Sequence, residues 1–378
     1  MAKLHLFNPD NDLALASGIE NFTAPKAAAD LRNAGACLPL WYGQPGDAVL
    51  TYGANARWLE SVNDRFGPGV DIFDHHSAAD YDAAPWGWSL AARKIFKIEG
   101  FATDSLPTDR QIGLWRQLSH RRTASQLRED IARQLDFEIA PAAIEADSVE
   151  SLRKMLGDGR PKIIKSPWSS SGRGLLDTRH VSADETLRRC EGTIQRQGSV
   201  MVEEAYDRTA DFAMLFECSG AGCRFAGYSV FKADAAGGYT GNILAPDSRL
   251  LEIIGTDYPA ERIEKVAEAA RQAIERIIAP NYSGPLGVDM LVARKADGSA
   301  LLDATVEINL RMTMGFVAHA LSEKFLAEGS EGEYSVMPAK NTPASDSMTV
   351  ESRRMVSGRI DLTPPGGRFR FVAEVHTL

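Results

Sequence analysis

Short apolar runs alternate with amphipathic stretches near the N-terminus of this chain. Alternation of strands with helices is typical of a parallel sheet covered by helices. We therefore predict a small parallel α/β domain over residues 1–110. Its predicted strands are the apolar runs Leu4–Phe7, Leu38–Tyr42, Ala48–Tyr52 and Val70–Phe73, and its first two predicted helices cover Lys26–Ala34 and Asn55–Arg65.

The pattern becomes helical between Pro85 and Leu135 and then changes to a mixed order of strands and helices. This order predicts α+β architecture, which we divide into segments 111–203 and 204–378. The Asp297-Gly298 pair marks the turn of a hairpin. The predicted strands are Ala142–Ile144, Lys162–Lys165, Leu175–Asp177, Ser199–Glu203, Asp211–Glu217, Arg224–Phe231, the hairpin Leu286–Asn309 and a terminal strand Phe369–Val375, with helices at Ala183–Arg196 and around Ile263–Ile278.

The amino-acid composition of the chain limits the classes of molecule that it is expected to bind. The 378 residues include 42 Lys and Arg against 51 Asp and Glu, a net charge of −9, and no basic run offsets it. This argues against nucleic-acid binding. No apolar stretch approaches the roughly 18 residues of a membrane helix, and the first apolar run is too short for a signal peptide. The four cysteines lack zinc or redox spacing, so we expect reduced thiols in a cytoplasmic protein without a membrane partner.

A Ser- and Gly-rich loop follows the predicted strand Lys162–Lys165 and reads Ser-Pro-Trp-Ser-Ser-Ser-Gly-Arg-Gly up to Gly174. Glycines allow backbone N–H groups to approach phosphate oxygens, serines add donors, and Lys165 and Arg173 supply positive charge. The pattern is equally typical of a surface hairpin loop with an exposed lysine. By itself it leaves both interpretations open.

The hairpin carries a second group of polar residues, because Asp289 lies on its first strand and Glu307, Asn309 and Arg311 alternate on its second. Residues two apart in a strand share a face. Two carboxylates and an amide oxygen suit a hard cation such as Mg²⁺, and the fork of Arg311 suits a carboxylate or phosphoryl group. Taken alone, the pattern is more typical of the solvated face of a hairpin.

A third group lies at the end of the strand Ser199–Glu203, where Glu203, Glu204 and Tyr206 precede Asp211. A strand edge at this place could hydrogen-bond an adenine, and Asp211 could accept ribose hydroxyls. An acid pair at a strand end is usually only solvated.

The order of these three groups resembles the ATP-grasp superfamily over residues 118–316. The resemblance implies an ATP-grasp fold preceded by the small parallel domain, with ATP and Mg²⁺ or Mn²⁺ as cofactors. It implies that Lys165 and the loop 169–174 (with Ser170, Ser171, Gly172 and Arg173) bind the nucleotide phosphates. It further places adenine at Glu203, Glu204 and Tyr206, ribose at Asp211, the metal at Asp289, Glu307 and Asn309, and substrate at Arg311.

One departure concerns a second phosphate-binding lysine that the family usually carries, since this chain has Ser119-His120-Arg121-Arg122 in that place. Arg121 is our candidate for its role, and Arg122 is the alternative. Residues 324–378 resemble no known segment.

The resemblance implies an ATP-dependent ligase that activates a small-molecule carboxylate as an acyl phosphate for attack by an amine, with Lys165 and Arg311 at the reacting groups. A small-molecule kinase would begin with the same phosphoryl transfer, and a regulatory module would bind ATP without turnover. Both remain alternatives at the level of sequence. A homodimer is the commonest assembly for a chain of this kind.

Overall fold

A computed structural model gives the structure of residues 1–53, 55–168, 174–233, 238–295, 297–341 and 346–378. Within these ranges no helix is both long and apolar enough to cross a membrane. The loop residues Ser170, Ser171, Gly172 and Arg173 lie outside the described residues.

The N-terminal residues form a four-stranded parallel sheet in the order β3-β2-β1-β4, flanked by helices. The predicted strand Leu38–Tyr42 is wrong, because Leu38–Trp41 is a 3-10 helix. Pro39 lacks a backbone N–H and its ring fixes φ near the helical value, so it suits the first turn of a helix. The elements of this region are β1 (Ala2–Leu6), α1 (Asn11–Ser17), α2 (Lys26–Ala34), β2 (Ala48–Val49), α3 (Ala56–Phe66), β3 (Asp71–Ile72), β4 (Tyr81–Pro85) and α4 (Leu90–Ile98).

Two helices, α5 (Asp109–Leu118) and α6 (Arg121–Ala132), connect this sheet to the rest of the chain. The side chain of Thr108 caps α5 by accepting the backbone N–H of Gln111, and that of His120 caps α6 by accepting the N–H of Arg122. These caps satisfy N–H groups that a helix end would otherwise leave unpaired. A sharp turn therefore separates the two helices at His120.

A small antiparallel sheet follows, with strand order β5-β8-β6-β7. Two helices cover one face around Leu152, Ile164 and Leu187. The strand predicted at Ala142–Ile144 begins later, at Ile144. The elements are β5 (Ile144–Ala146), α7 (Val149–Leu156), β6 (Lys162–Lys165), β7 (Leu175–Asp177), α8 (Ala183–Gln197) and β8 (Val200–Glu204).

The remaining strands form a nine-stranded antiparallel sheet in the order β13-β12-β9-β10-β11-β14-β17-β16-β15. The helix with the predicted apolar face packs on it through Ile263, Val266 and Ile274. The elements are β9 (Asp207–Ser219), β10 (Gly222–Ala233), β11 (Tyr239–Leu244), α9 (Asp247–Gly255), α10 (Ala260–Ile277), β12 (Gly284–Arg294), β13 (Ala300–Asn309), α11 (Met314–Phe325), β14 (Ser330–Pro338), β15 (Thr349–Glu351), β16 (Arg354–Asp361) and β17 (Phe369–Thr377).

Residues 324–378 supply the last four strands of this sheet and pack against the N-terminal region. Trp41 Nε1 donates to the carbonyl of Leu362 at 2.6 Å. The rings of Phe7 and Phe371 meet edge to face, with centroids 5.9 Å apart. One apolar core therefore contains residues from both ends of the chain.

Candidate functional site

Strand β13 carries the polar face on which the candidate site is built. Asp303, Thr305, Glu307 and Asn309 lie two residues apart and so share one face. This face meets α6, because Thr305 Oγ1 donates to the carbonyl of Ala124 at 2.9 Å. The polar residues of the hairpin are thus turned toward a helix and are not on an open solvated face.

The three predicted metal ligands come together at the paired ends of β12 and β13. Asp289 lies opposite Glu307 in the ladder, and Asn309 Nδ2 donates to Asp289 Oδ2 at 3.1 Å. The pKa of Asp289 is raised to about 7, mainly by burial and secondly by the nearby Glu307 carboxylate. Two carboxylates held together under burial favour a cation between them.

The donor set fits a magnesium ion. It offers two carboxylates and one amide oxygen, and within the described ranges no group of three or more His, Cys, Asp and Glu side chains is arranged to hold a metal ion. Mg²⁺ prefers oxygen ligands and is usually held by one or two carboxylates together with substrate phosphates. In the structure, cationic side chains contact two of these ligands: Arg121 Nη2 donates to Glu307 Oε1 and Arg311 Nη2 to Asn309 Oδ1, each at 2.9 Å.

The structure separates the two candidate arginines at the start of α6. Arg121 is buried, contacts Glu307, and donates from Nε to the carbonyl of Ser166 at 3.1 Å. Arg122 is half exposed and forms an ion pair with Glu145 at 2.5 Å. Of the two, Arg121 is the one at the predicted metal ligands.

Lys165 ends strand β6 and is buried between the small sheet and the large one. Its Nζ forms an ion pair with Glu203 and donates to the carbonyl of Val306 at 3.3 Å. Val306 precedes Glu307, so Lys165 lies beside the predicted metal ligands. Its ion pair brings Glu203, a predicted adenine contact, to the same place.

The other predicted nucleotide contacts have partners of their own. Glu204 accepts from Lys162 Nζ at 2.7 Å. The pKa of Tyr206 is raised to about 12, mainly by burial and secondly by the nearby Glu204 carboxylate. Asp211 forms an ion pair with Arg208 near the start of β9. Their adenine and ribose roles stay predictions.

Arg311 has a partner that the sequence analysis did not assign. Asp12 accepts from Arg311 Nε at 2.8 Å and from Nη2 at 2.6 Å. Asp12 lies in the first turn of α1, which follows β1 at the carboxyl end of the parallel sheet, where the ligand sites of α/β domains lie. Gly87 lies close to both elements, since a Cβ there would overlap the side-chain amide of Asn11 and lie 3.0 Å from Arg311 Cβ.

A second unassigned group is the buried ion pair of Arg128 with Asp303. Arg128 Nη2 lies 2.5 Å from Asp303 Oδ1, and its Nε donates to Thr305 Oγ1 at 3.0 Å. Both residues could have been found from spacing. Arg128 follows Arg121 by two helical turns, and Asp303 continues the alternation of Glu307 and Asn309 along β13.

A cavity of about 20 Å³ lies inside the candidate site. Asp12, Ser119, Trp168, Glu307 and Asn309 are among the residues that line it. Helix α1, the α5–α6 turn, the segment after β6 and the β12–β13 hairpin therefore meet at one point.

No protein-family model and no curated protein sequence matches this chain. Among solved structures, a biotin carboxylase–βγ-ATP complex from Campylobacter jejuni has a TM-score of 0.52 at 12% identity and covers 99% of this chain and 87% of that chain. Phosphoribosylamine–glycine ligase from Thermotoga maritima has a TM-score of 0.48 at 13% identity, covering 100% and 93%. N5-carboxyaminoimidazole synthetase from Staphylococcus aureus, complexed with ADP, has a TM-score of 0.45 at 12% identity, covering 89% and 82%.

The likeness to biotin carboxylase concerns the fold. The ATP-grasp fold predicted from the three groups of polar residues is therefore confirmed, together with its mixed α/β and α+β class.

Proposed function

We propose that this chain is an ATP-dependent ligase that activates a small-molecule carboxylate as an acyl phosphate and joins it to an amine. One observation carries the proposal. Three cationic side chains lie around the paired residues Asp289 and Glu307 of an ATP-grasp fold: Arg121 contacts Glu307, Lys165 contacts the carbonyl of Val306, and Arg311 contacts Asn309. A regulatory module that only holds ATP has no need of these carboxylates.

The proposed reaction has two steps. A carboxylate oxygen of the substrate attacks the γ-phosphorus of ATP, and the bond from that phosphorus to the β,γ-bridging oxygen breaks, releasing ADP. The amine nitrogen then attacks the acyl carbon, inorganic phosphate leaves, and the amine proton passes to solvent. Catalysis of such a transfer consists mainly of positioning and charge neutralisation.

The cationic side chains would hold the phosphates. Lys165 is fixed by Glu203 and by the carbonyl of Val306, so its ammonium is held next to the metal ligands. Arg121 is held by the carbonyl of Ser166 and by Glu307. In this proposal Arg121 takes the place of the family's second lysine, and the loop with Ser170, Ser171, Gly172 and Arg173 covers the phosphates.

Asp289, Glu307 and Asn309 would hold Mg²⁺ or Mn²⁺, which supplies charge neutralisation to the phosphates when bound. Arg121 and Arg311 contact these ligands in the structure and would turn to the phosphates and the carboxylate. The role of Arg311 is to hold the acceptor carboxylate with its planar fork. In the structure, Asp12 accepts from Nε and Nη2 of Arg311 and so orients its guanidinium.

The three predicted segments have distinct roles in this proposal. Residues 1–110 bring Asp12 to Arg311, residues 111–203 supply Arg121 and Lys165, and residues 204–378 supply the metal ligands. Adenine would lie against Glu203, Glu204 and Tyr206, with ribose at Asp211.

The test is a screen for ADP release against pooled carboxylates and amines, with mass spectrometry of the product. We expect ADP release that requires both a carboxylate and an amine, and a product joined by an amide. Lys165→Met should abolish it, and Lys154→Met, which alters an exposed lysine of α7, should not. A stable phosphorylated product that forms without an amine would identify a kinase instead.

A further inference from the structure

We propose that Arg116 is a positioning residue of the candidate site, because it joins helix α1, which carries Asp12, to the segment 166–168, which follows Lys165. Its guanidinium donates to a carbonyl of α1 and lies over the ring of Trp168. We call this connection between α1 and residues 166–168 the Arg116 link. The link itself is a property of the fold, whereas its effect on catalysis rests on the function proposed above.

The first contact of Arg116 is with the C-terminal end of α1. Its Nε and Nη2 both donate to the carbonyl of Ala16, at 3.1 and 3.0 Å. The last carbonyls of a helix have no partner within the helix, and the helix dipole favours a cation at this end. Arg116 therefore holds the last turn of α1 to helix α5, in which it lies itself.

This contact acts on the candidate site through Asp12. Asp12 lies in the first turn of α1, four residues before Ala16 and therefore on the same face of the helix. Its carboxylate accepts from Nε and Nη2 of Arg311. Because α1 has only seven residues, fixing its last turn also limits the movement of its first turn, and with it the position of Asp12.

The second contact of Arg116 is with Trp168. The guanidinium carbon lies 4.2 Å from the centroid of the indole ring, which is within the range of a cation–π interaction. In return, Trp168 Nε1 donates to the backbone carbonyl of Arg116 at 2.9 Å. The ring of His120 meets the same indole edge to face, with centroids 4.6 Å apart, and the N–H of Trp168 donates to Gln197 Oε1 at 3.1 Å. Trp168 is thus held by α5, by the α5–α6 turn and by α8.

The position of Trp168 affects two of the proposed phosphate contacts. Ser166 and Pro167 connect it to Lys165 at the end of β6. Their carbonyls accept from Nε and from the backbone N–H of Arg121, each at 3.1 Å. The Arg116 link therefore holds together the three parts of the chain that carry Asp12, Arg121 and Lys165.

Both ends of the Arg116 link face the candidate site. Asp12 and Leu15 of α1 line its cavity together with Pro167 and Trp168. A displacement of reacting groups by about 1 Å can lower a rate by about 100-fold, so a loosened link should impair catalysis. Arg116 forms no ion pair with a carboxylate of the residues that the structure describes, so replacing it leaves no acid without its counter-ion.

Hydrogen–deuterium exchange of the full chain tests the link without any ligand. In Arg116→Met we expect the amides of α1 and those of Arg121 and Trp168 to exchange at least fivefold faster, because both ends of the link open more often. The amides of β16 and β17 should be unchanged. Arg110→Met, at an exposed arginine of the same helix, is the matched control. Unchanged exchange at both ends, or faster exchange in α1 alone, would overturn the proposal.

Steady-state kinetics tests the effect on catalysis, with the substrates that the ADP-release screen identifies. Arg116→Met should lower kcat/KM at least tenfold for both ATP and the acceptor carboxylate, since it releases both ends of the link. Trp168→Phe keeps a ring but loses the Nε1 donor, so it should raise the KM for ATP and change the KM for the acceptor by less than about twofold. A merely structural role would reduce the amount of folded enzyme, and so the apparent kcat, without changing either KM. That result would overturn the positioning role.

Arg116→Lys separates the charge of Arg116 from its geometry. Lysine keeps the positive charge but lacks the planar group that contacts Ala16 and Trp168 together. We expect exchange rates and KM values between those of wild type and Arg116→Met, and this variant carries the test if Arg116→Met does not fold. Wild-type values for Arg116→Lys would show that a charge at the end of α1 is sufficient, and would refute the link. Absence of ADP release by the wild type would refute the proposed function, whereas the exchange measurement still decides the link.

Discussion

The carboxylate of Asp12 forms a two-point ion pair with the guanidinium of Arg311, with Nε 2.8 Å from Oδ1 and Nη2 2.6 Å from Oδ2. The two residues are 299 positions apart; Asp12 lies in α1, and Arg311 directly follows β13. Parallel N–H···O contacts of this kind fix the plane of a guanidinium. Arg311 is therefore oriented by a domain other than the one that carries it.

This ion pair leads to a first prediction, for Asp12→Asn. The amide keeps the size of the side chain but removes the charge that balances Arg311, whose side chain is only 16% exposed. We expect kcat/KM for the acceptor carboxylate to fall about 30-fold, the equivalent of about 2 kcal/mol, with the KM for ATP unchanged. Steady-state kinetics would measure it, with Asp82→Asn, at an exposed acid, as the control. A selective rise in the KM for ATP would contradict the assignment of Arg311 to the carboxylate.

A second prediction uses the adjacent arginines of α6. Arg121→Ala should raise the KM for ATP at least tenfold, because the charge beside Glu307 is lost. Arg122→Ala should change the KM for ATP by less than about twofold, because Arg122 pairs with Glu145 away from Glu307. An exposed ion pair of this kind contributes at most about 1 kcal/mol. Arg121→Lys should recover part of the loss, as lysine keeps the charge without the fork. The opposite ranking of the two alanine variants would assign the phosphate contact to Arg122.

A third prediction concerns the metal ligands. Glu307→Gln should lower the rate of ADP formation about 100-fold or more, because a neutral amide replaces one of the two charged ligands. Asp289→Asn should raise the Mg²⁺ concentration needed for half-maximal rate. Both are measured by coupled ADP assay over a Mg²⁺ titration, with Glu333→Gln, which lies outside the site on β14, as the control. Wild-type turnover of Mg-ATP by Glu307→Gln would refute the metal site.

A fourth prediction concerns the pH dependence of stability through His120. Its Nδ1 accepts the N–H of Arg122, so the ring must be neutral, and burial together with the charge of Arg122 lowers its pKa from 6.5 to about 4. Between these values the unfolded chain binds more protons than the folded one. The free energy of unfolding should therefore fall as pH drops from about 6.5 to about 4, by up to about 3 kcal/mol.

Urea unfolding at pH 5.0 and 7.5 measures this effect. His120→Asn can still cap the helix but does not titrate, so its free energy of unfolding should vary less between the two pH values. His180→Asn removes an exposed histidine and should keep the wild-type dependence. An identical pH dependence for wild type and His120→Asn would show that His120 does not cause it.

A fifth prediction concerns the buried pair of Arg128 and Asp303. Arg128→Met should lower the free energy of unfolding by about 3 to 5 kcal/mol, because Asp303 then keeps a buried charge without its partner. The double variant Arg128→Met with Asp303→Asn should be more stable than the single one. Denaturant unfolding measures all of them, and Arg133→Met, at an exposed arginine of the same region, should be close to wild type. A loss below about 1 kcal/mol for Arg128→Met would contradict the role of the pair.

The local pattern of apolar and turn residues was sufficient to predict many of the helices and strands. The helix 26–34 and the strands Lys162–Lys165 and Leu175–Asp177 have the predicted bounds, because periodicity and turn residues act over a few neighbours. The strand predicted at Leu38–Tyr42 is wrong, because a short apolar run is equally typical of a strand and of a buried helical turn. Pro39 favours the helical turn, since proline suits the first turn of a helix.

The sequence by itself determined which residue types lie where: a strand lysine before a Ser- and Gly-rich loop, an acid pair, and alternating Glu307, Asn309 and Arg311. Only the tertiary structure decided which of them meet. It brought Asp12 to Arg311, placed Arg121 rather than Arg122 at Glu307, and packed the C-terminal strands on the N-terminal core. The physical reason is that periodicity assigns a side chain to a face, whereas its partner is set by contacts between elements far apart in the chain.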